Sequence, residues 1–441
     1  MKRNAFQFAA LAAVSTLGGV NASAQSVDAL LNKLVEKGTL TLQEANELKK
    51  ESNDGFTKGY QARSGMPDWV TALKLNGDFR ARYEMFESPN DAFVDRTRFR
   101  YRLRFGAVAT IKDNFEVGLR LTSSESGAFG GDPISGNTTF QDNASRKFVF
   151  IDLAYAKWKF LDTQPFSASV AIGKIENPFV VSENIFDPDY DPEGAGATFA
   201  YRLNDQHTLK LNAGAFALDE LSGSHNDPWL YGAQVRWDAA WSKQVATTVG
   251  LTGLNIVDDR SLTNNAVPNG QRGNTRDPGT GVLSHHFNPI VVDAAATYSF
   301  GEIPIYKGPF PVKVAGEYVN NLAADNRAQA WQAGVTFGKA GKKGQWELSY
   351  RYKYLGGDSW YEEFTDSDFG AFYQGTFPNS GLGAGYGAGT NVRGHHCRAI
   401  YSFYDSFSLS VAYGRTILIN EFPAGSDSGM TRLTVDAMWR F

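Results

Sequence analysis

Residues 95–105 read DRTRFRYRLRF. Arg96, Arg98, Arg100, Arg102 and Arg104 take every second position, interleaved with Thr97, Phe99, Tyr101, Leu103 and Phe105. A helix, with its period of 3.6, would scatter both sets around its circumference. A strand sorts them, because successive side chains point to opposite faces. The stretch therefore predicts a strand with one basic and one apolar face. Three settings suit it: a half-buried strand with a basic outer face, a nucleic-acid-binding sheet, or a wall between lipid and water.

Bulk composition narrows these. The chain has 441 residues and a net charge of −4, which argues against a nucleic-acid binder despite the arginine run. Cys397 is the single cysteine, so no internal disulfide staples the fold. After the first residues no apolar run is long enough for a membrane helix, but the alternating strands of a β-barrel are nearly invisible to hydropathy.

The start, MKRNAFQFAALAAVSTLGGVNASAQS, has a basic opening, an apolar stretch from Phe6 to Val20 and the small-residue exit Ala22-Ser23-Ala24. It predicts a signal peptide over 1–24 with cleavage after Ala24. In 25–52, Val27, Leu30, Leu31, Leu34 and Val35 recur at helical spacing, Gly38 supplies a C-cap, and Thr41 with Glu44 makes a capping box. A helical hairpin or coiled-coil-like segment is expected there, followed by a polar linker over 53–68.

From residue 69 to 441 the period becomes 2. Sixteen alternating segments follow: 73–86, the arginine stretch, 114–124, 147–160, 165–175, 193–203, 207–218, 229–240, 244–256, 289–300, 310–320, 328–340, 344–357, 391–404, 407–419 and 430–441. Alternation blurs in 147–160 and 391–404, where a bulge would shift the faces. The connections alternate long and short, with 301–309 an exception at nine residues. Strict two-ended asymmetry of this kind is a property of outer-membrane barrels. A soluble sheet would need cover for every aromatic-rich face, and two small helices cannot supply it; a bilayer can, and closure removes the edges that lipid cannot satisfy. Trp158, Trp229, Trp331, Trp346, Tyr350, Tyr352 and Trp439 sit near segment ends, as interfacial girdles require. The fold expected is all-β: a closed antiparallel transmembrane β-barrel of about 16 strands behind a short helical segment.

The last ten residues, RLTVDAMWRF, alternate Leu433, Val435, Ala437 and Trp439 on one face and end on Phe441. This resembles the assembly signal of Gram-negative outer-membrane proteins. With GKIENPFVVSENIFDPDYDPEGA (173–195) and the preface LLNKLVEKGTLTLQEANELKK, the chain resembles the bacterial putative-porin family over essentially its whole length. The resemblance implies a signal peptide, a periplasmic helical segment and a sixteen-stranded barrel in the outer membrane. It further implies passive diffusion of small hydrophilic solutes, a homotrimer, and insertion by the barrel-assembly machinery through the C-terminal strand. In porins of this plan the third outer loop folds inward.

The arginine ladder then faces a wet lumen and Phe99, Tyr101, Leu103 and Phe105 face lipid. Guanidiniums at i and i+2 are about 7 Å apart and repel by about 0.6 kcal/mol in a water-like dielectric, several-fold more in a dry one. Water is the setting that tolerates the ladder. Segment 176–192 is the third outer loop, and its acids Glu183, Asp187, Asp189 and Asp191, with Glu193 just beyond, are expected to face a basic wall of Arg80, Arg82 and Arg96 to Arg104. The transverse field so formed would select among polar solutes. DPDYDPEG opens like a calcium loop, but Pro188, Pro192 and the missing downstream glutamate argue against one. His395 and Cys397 share a face, which is two ligands and not a metal site. Tyr350, Tyr352 and Tyr354 alternate with Arg351 and Lys353 and point at lipid. Loops 257–288 and 358–390 are expected at the surface, able to plug or gate the entrance. No catalytic motif, cofactor site or metal site is read from the chain. A diffusion channel is the expected function; the competing reading is a non-transporting scaffold or adhesin that displays loops.

Overall fold

The computed structural model of the protein describes residues 44, 47, 48, 66–125, 134–262, 272–374, 384–421 and 423–441. Glu44, Glu47 and Leu48 are helical. The expected signal segment, the rest of the helical preface and linker residues 53–65 lie outside the described residues.

Among the described residues sixteen long antiparallel strands form one closed sheet, with the two-residue piece Thr138–Thr139 added beside Arg100 and Tyr101: β1 (Val70–Glu87), β2 (Arg96–Ile111), β3 (Phe115–Ser124), β4 (Phe148–Thr163), β5 (Phe166–Lys174), β6 (Glu193–Arg202), β7 (His207–Ala217) and β8 (Trp229–Ala240), then β9 (Val245–Val257), β10 (Pro289–Ile303), β11 (Tyr306–Asn321), β12 (Gln329–Gly338), β13 (Trp346–Leu355), β14 (Val392–Tyr404), β15 (Phe407–Leu418) and β16 (Met430–Arg440). Each strand pairs with its sequence neighbours, and β1 closes the ring on β16, from Asp78 opposite Arg440 to Glu87 opposite Thr431. At the seam Gly77 and Phe441 exchange backbone hydrogen bonds of 2.9 and 3.1 Å. A Cβ on Gly77 would stand 2.5 Å from the Phe441 ring, so only glycine seats that terminal aromatic.

Parity decides the faces. On β2, Phe99, Leu103 and Phe105 are exposed on the outside while Arg100 and Arg102 are buried inside. The same holds around the ring, with Ile172 64 % and Val314 60 % exposed. Contiguous apolar exposure on that scale has no place in water and suits a bilayer. Aromatic pairs mark both ends of the wall: Phe115 with Trp158 and Phe407 with Trp439 at the short-turn end, Trp229 with Tyr231 and Trp331 with Tyr354 at the long-loop end.

Two details differ from the sequence expectation. The nine-residue connection 301–309 is not a loop: β10 and β11 run on through a register shift and leave only Pro304 and Ile305 between them. The alternation failed to show this because the shift at Phe300–Glu302 breaks the period of 2. In β4 the expected bulge is real. Arg120 lies opposite Leu153 and Leu121 opposite Ile151, leaving Asp152 as the extra residue. In β14 the shift is confined to Ser402–Tyr404, at the turn end.

Candidate functional site

The lumen is where the structure gathers its buried charge. Four of the five ladder arginines, Arg98 to Arg104, meet acids on the wall or its neighbouring segments, and two of them also reach loop 176–192. Arg102 and Arg104 both bond Asp78, at 3.1 and 2.7 Å, and both bond Asp189 of the loop, at 2.8 and 3.1 Å. Higher on the same wall Glu84 is fully buried and pairs with Arg98, with Arg432 at 2.7 Å and with Arg82 at 3.4 Å. Arg82 also grips Asp436 with two bonds of 2.7 and 2.9 Å. Arg80 donates to the Asn137 side chain at 2.6 Å, and Arg100 reaches Glu125 at 3.3 Å. Arg96 is exposed at the outer end of β2, beyond the cluster.

The loop acids divide. Asp189 meets the basic wall. Asp191 instead meets Arg120 on β3, at 2.5 Å, and the bulge residue Asp152 pairs with the same guanidinium. Glu183 turns to the opposite side of the barrel, where Arg351 and Lys353 of β13 hold it. Asp187 is buried and accepts from the backbone N–H groups of Asp189 and Ser367, both at 2.9 Å. Glu193 is no part of this arrangement. It opens β6 on the outward parity opposite Lys174, with its carboxylate 3.6 Å from that ammonium. Sequence proximity to the loop had grouped it with residues from which the strand's first step separates it.

These contacts change the expected electrostatics. Acids and arginines are in direct contact, not across an aqueous gap. Burial works against ionising Asp189, but Arg102, Arg80 and Arg104 hold it below its usual range. Glu183 is likewise held low by Lys353 and Arg351 against burial. Asp187 forms no ion pair with a Lys or Arg among the described residues. Burial, then Asp189 and Asp366, push it up to about 8.

Loop 358–390 was expected at the surface, and its described part is not. Trp360, Tyr361, Phe364, Phe369 and Phe372 are buried. Trp360 Nε1 donates to the Ile185 carbonyl at 2.8 Å, Asp187 N to the Phe364 carbonyl at 2.7 Å, and Asp366 N to the Glu183 carbonyl at 3.0 Å. The Phe186 ring lies against Trp360, Phe364 and Tyr190. Asp368 then reaches the basic wall, 3.1 Å from Arg82 and 2.7 Å from Arg432. The described part of 257–288 behaves similarly: Asn274, Leu283 and Phe287 are buried, and Arg276 pairs with Glu362 at 2.7 Å. Apolar residues at the outer strand ends, among them Leu230, Ile256, Val319 and Leu355, turn inward to meet this packing. Six aromatics within the fourteen residues 360–373 are the signal that 358–390 carries, hidden among its Gly, Asp and Ser.

Two polar spaces border loop 176–192. One, of about 360 Å³, lies between the loop and Arg104 and Arg120. The other, of about 250 Å³, lies beneath Ser182 and Glu183 and is lined by Arg236, Asp293, Lys313 and Glu317. Arg236 and Asp293 pair at 2.9 Å, and Glu317 accepts from the Ser182 backbone and hydroxyl. Among the described residues no group of three or more His, Cys, Asp or Glu side chains is arranged to hold a metal ion.

No curated protein matches the chain. Solved structures similar to it include a multiply substituted and a triply substituted variant of the porin of Rhodopseudomonas blastica. Each is 11% identical, covers 84% of this chain and 100% of its own, and has a TM-score of 0.41. A family model described as "Putative porin" matches residues 88–269 and 286–415. Strand map, closed barrel and family model agree, and the chain belongs to that porin family.

Proposed function

We propose that the barrel is a water-filled channel for passive diffusion of small hydrophilic solutes and ions across the outer membrane, narrowed by loop 176–192. One observation carries the reading: the loop lies against the arginine wall through Asp189 yet leaves a polar space of about 250 Å³ along the opposite wall. Arg80, Arg82 and Arg98 to Arg104 act in this reading as the pore's basic wall. Asp189 and Asp191 are the acids that set the loop against it, and Glu183 anchors it on the far side. Secretion with cleavage after Ala24, insertion through the strand ending in Phe441 and assembly as a trimer belong to the same reading.

A second reading has its own support. The aromatic packing of 358–374 in the outer mouth would equally suit a scaffold whose barrel only displays loops. Reconstitution separates them. Liposomes carrying the refolded protein should swell in sugars of graded size, fastest in the smallest, and planar bilayers should show discrete conductance steps. A barrel that inserts fully and passes neither ions nor sugars overturns the channel.

A further inference from the structure

The arginine wall is the conspicuous cationic surface of the lumen, and its charge is already answered. Seven of its guanidiniums, on β1, β2, β3 and β16, meet eight carboxylates in ion pairs. The far wall differs. Around the space of about 250 Å³ beneath Ser182 and Glu183, Arg236 pairs with Asp293 and Arg351 with Glu183. Lys313 of β11 lines the same space, is exposed, and has no ion pair or hydrogen bond among the described residues. The acids near it in register stand off its row. Glu317 is four residues up the same face of β11, about 13 Å away between Cα atoms, and its two oxygens accept from the Ser182 N–H and hydroxyl. Glu347 lies two strands across and two residues down, about 12 Å away on the same measure.

Strand register gives the space its form. Across β10, β11 and β12, Thr297, Lys313 and Thr336 stand directly opposite one another in one inward row. Their Cβ atoms are about 4.5–5.5 Å apart, and neither threonine hydroxyl has a hydrogen-bond partner among the described residues. The row above is Ala295, Ala315 and Gly334. Its side chains are small, and a Cβ on Gly334 would stand 2.4 Å from the Tyr350 carbonyl oxygen, so no larger residue fits there. Loop residues Val180 to Glu183 line the space from the other side. One ammonium answers one negative charge, two hydroxyls can donate to the same group, and the small row leaves room for carbon. Resting on the channel reading, we propose that this hollow is a binding site for small organic monocarboxylates. The carboxylate takes charge-assisted bonds from Lys313 with Thr297 and Thr336, and the carbon skeleton lies against Ala295 and Ala315. An organic anion is favoured over an inorganic one because only the former uses both rows. Lys313, and not the paired arginines, is then the cation that captures the solute.

The test sets butyrate against its neutral isostere butyramide. The refolded full chain is placed in planar bilayers in potassium chloride, and each solute is added at constant ionic strength. Butyrate should reduce the current with a half-effect at about a tenfold lower concentration than butyramide, the scale of one ion pair in a hydrated site. Lys313→Gln should bring the two half-effects together, and Lys313→Arg should keep them apart. Ala315→Val, which fills the small row, should weaken butyrate by about tenfold. Equal half-effects in the parent overturn the site, as does a Lys313→Gln barrel that still prefers butyrate. An Ala315→Val barrel that takes butyrate as the parent does also overturns it, because charge alone would then hold the anion. Saturation-transfer NMR of butyrate on the detergent-solubilised chain reads binding without conduction. A barrel that passes no ions, yet loses the butyrate signal on Lys313→Gln, breaks the channel reading and leaves the site standing. A conducting barrel whose signal ignores Lys313 does the reverse. Should Lys313→Gln not fold, the parent's preference and the Ala315→Val result decide alone.

Discussion

The two walls on either side of loop 176–192 hold it by opposite means. On β1 to β3 and β16 the inward face is crowded with arginines and acids in contact, and the loop is bound there through Asp189 and Asp191. On β6 to β8 the inward face is small, with Gly194, Gly196, Gly214 and Gly232, and the loop rests there through Phe179. The charged wall fixes position by direction-specific bonds that fail when one partner is removed. The small-residue wall fixes it by the absence of side chains, and fails when one is added. A loop lying in a wide barrel needs both, because either alone would leave it free to slide.

The largest effect is expected at the centre of the charged wall. Glu84→Ala leaves Arg98, Arg432 and Arg82 without their shared carboxylate, and breaking a buried network of this kind costs about 3–5 kcal/mol. Urea unfolding from vesicles should show the loss. Should stability be unchanged, the arginines are hydrated well enough not to need Glu84, and the contrast between the walls dissolves. Next comes selectivity. Replacing Arg98, Arg100 and Arg102 with Ser leaves Glu84, Asp78 and Asp189 with fewer cations around them. The reversal potential in a salt gradient should move toward cations, by about a factor of two or more in permeability ratio. A null result would mean that solutes pass only along the far wall.

The far wall is tested by addition. A Cβ on Gly232 would lie 2.5 Å from the Phe179 ring, so Gly232→Ala should shift the loop at a cost of about 1–3 kcal/mol and change single-channel conductance. Gly253, on the adjoining β9 next to Leu254, the cross-strand partner of Gly232, and on outward parity, offers the control, because a Cβ there meets nothing within 4 Å. Equal conductance in both variants would show that the loop is not seated on glycine.

How much of this the sequence carries follows from the same contrast. Strand parity is a local property, so the ladder, its lipid face and the inward position of Asp78 and Glu84 beside Arg80 and Arg82 are all legible in DRTRFRYRLRF and in residues 73–86. The pairing of Arg82 with Asp436 is not, because it needs the β1–β16 register, which only closure of the barrel sets. Asp368 is more remote still. It reaches Arg432 because Trp360 and Phe364 pull their loop inward against Phe186, a packing event with no period to betray it. Asp152 lies between these cases: blurred alternation announces a bulge in β4, but which residue it re-aims depends on the partner strand.

The smallest effect is one of pH, and it isolates the join between the two inward loops. Asp187 binds the Ser367 amide and sits near Asp189 and Asp366 in a buried setting that pushes it up to about 8. A carboxyl free in solution ionises near 4, so between about pH 4 and 8 the docked loop retains a proton that a released loop gives up. Docking therefore weakens as pH rises through that window and changes no further above about 8. Flicker in single-channel records should increase over the same interval. Asp187→Asn keeps an acceptor for one of the two amides and cannot ionise, so its flicker should be flat with pH. A parent whose flicker instead falls as pH rises would place a stabilising cation beside Asp187, and the two loops would then be joined by charge on this side as well as on the arginine wall.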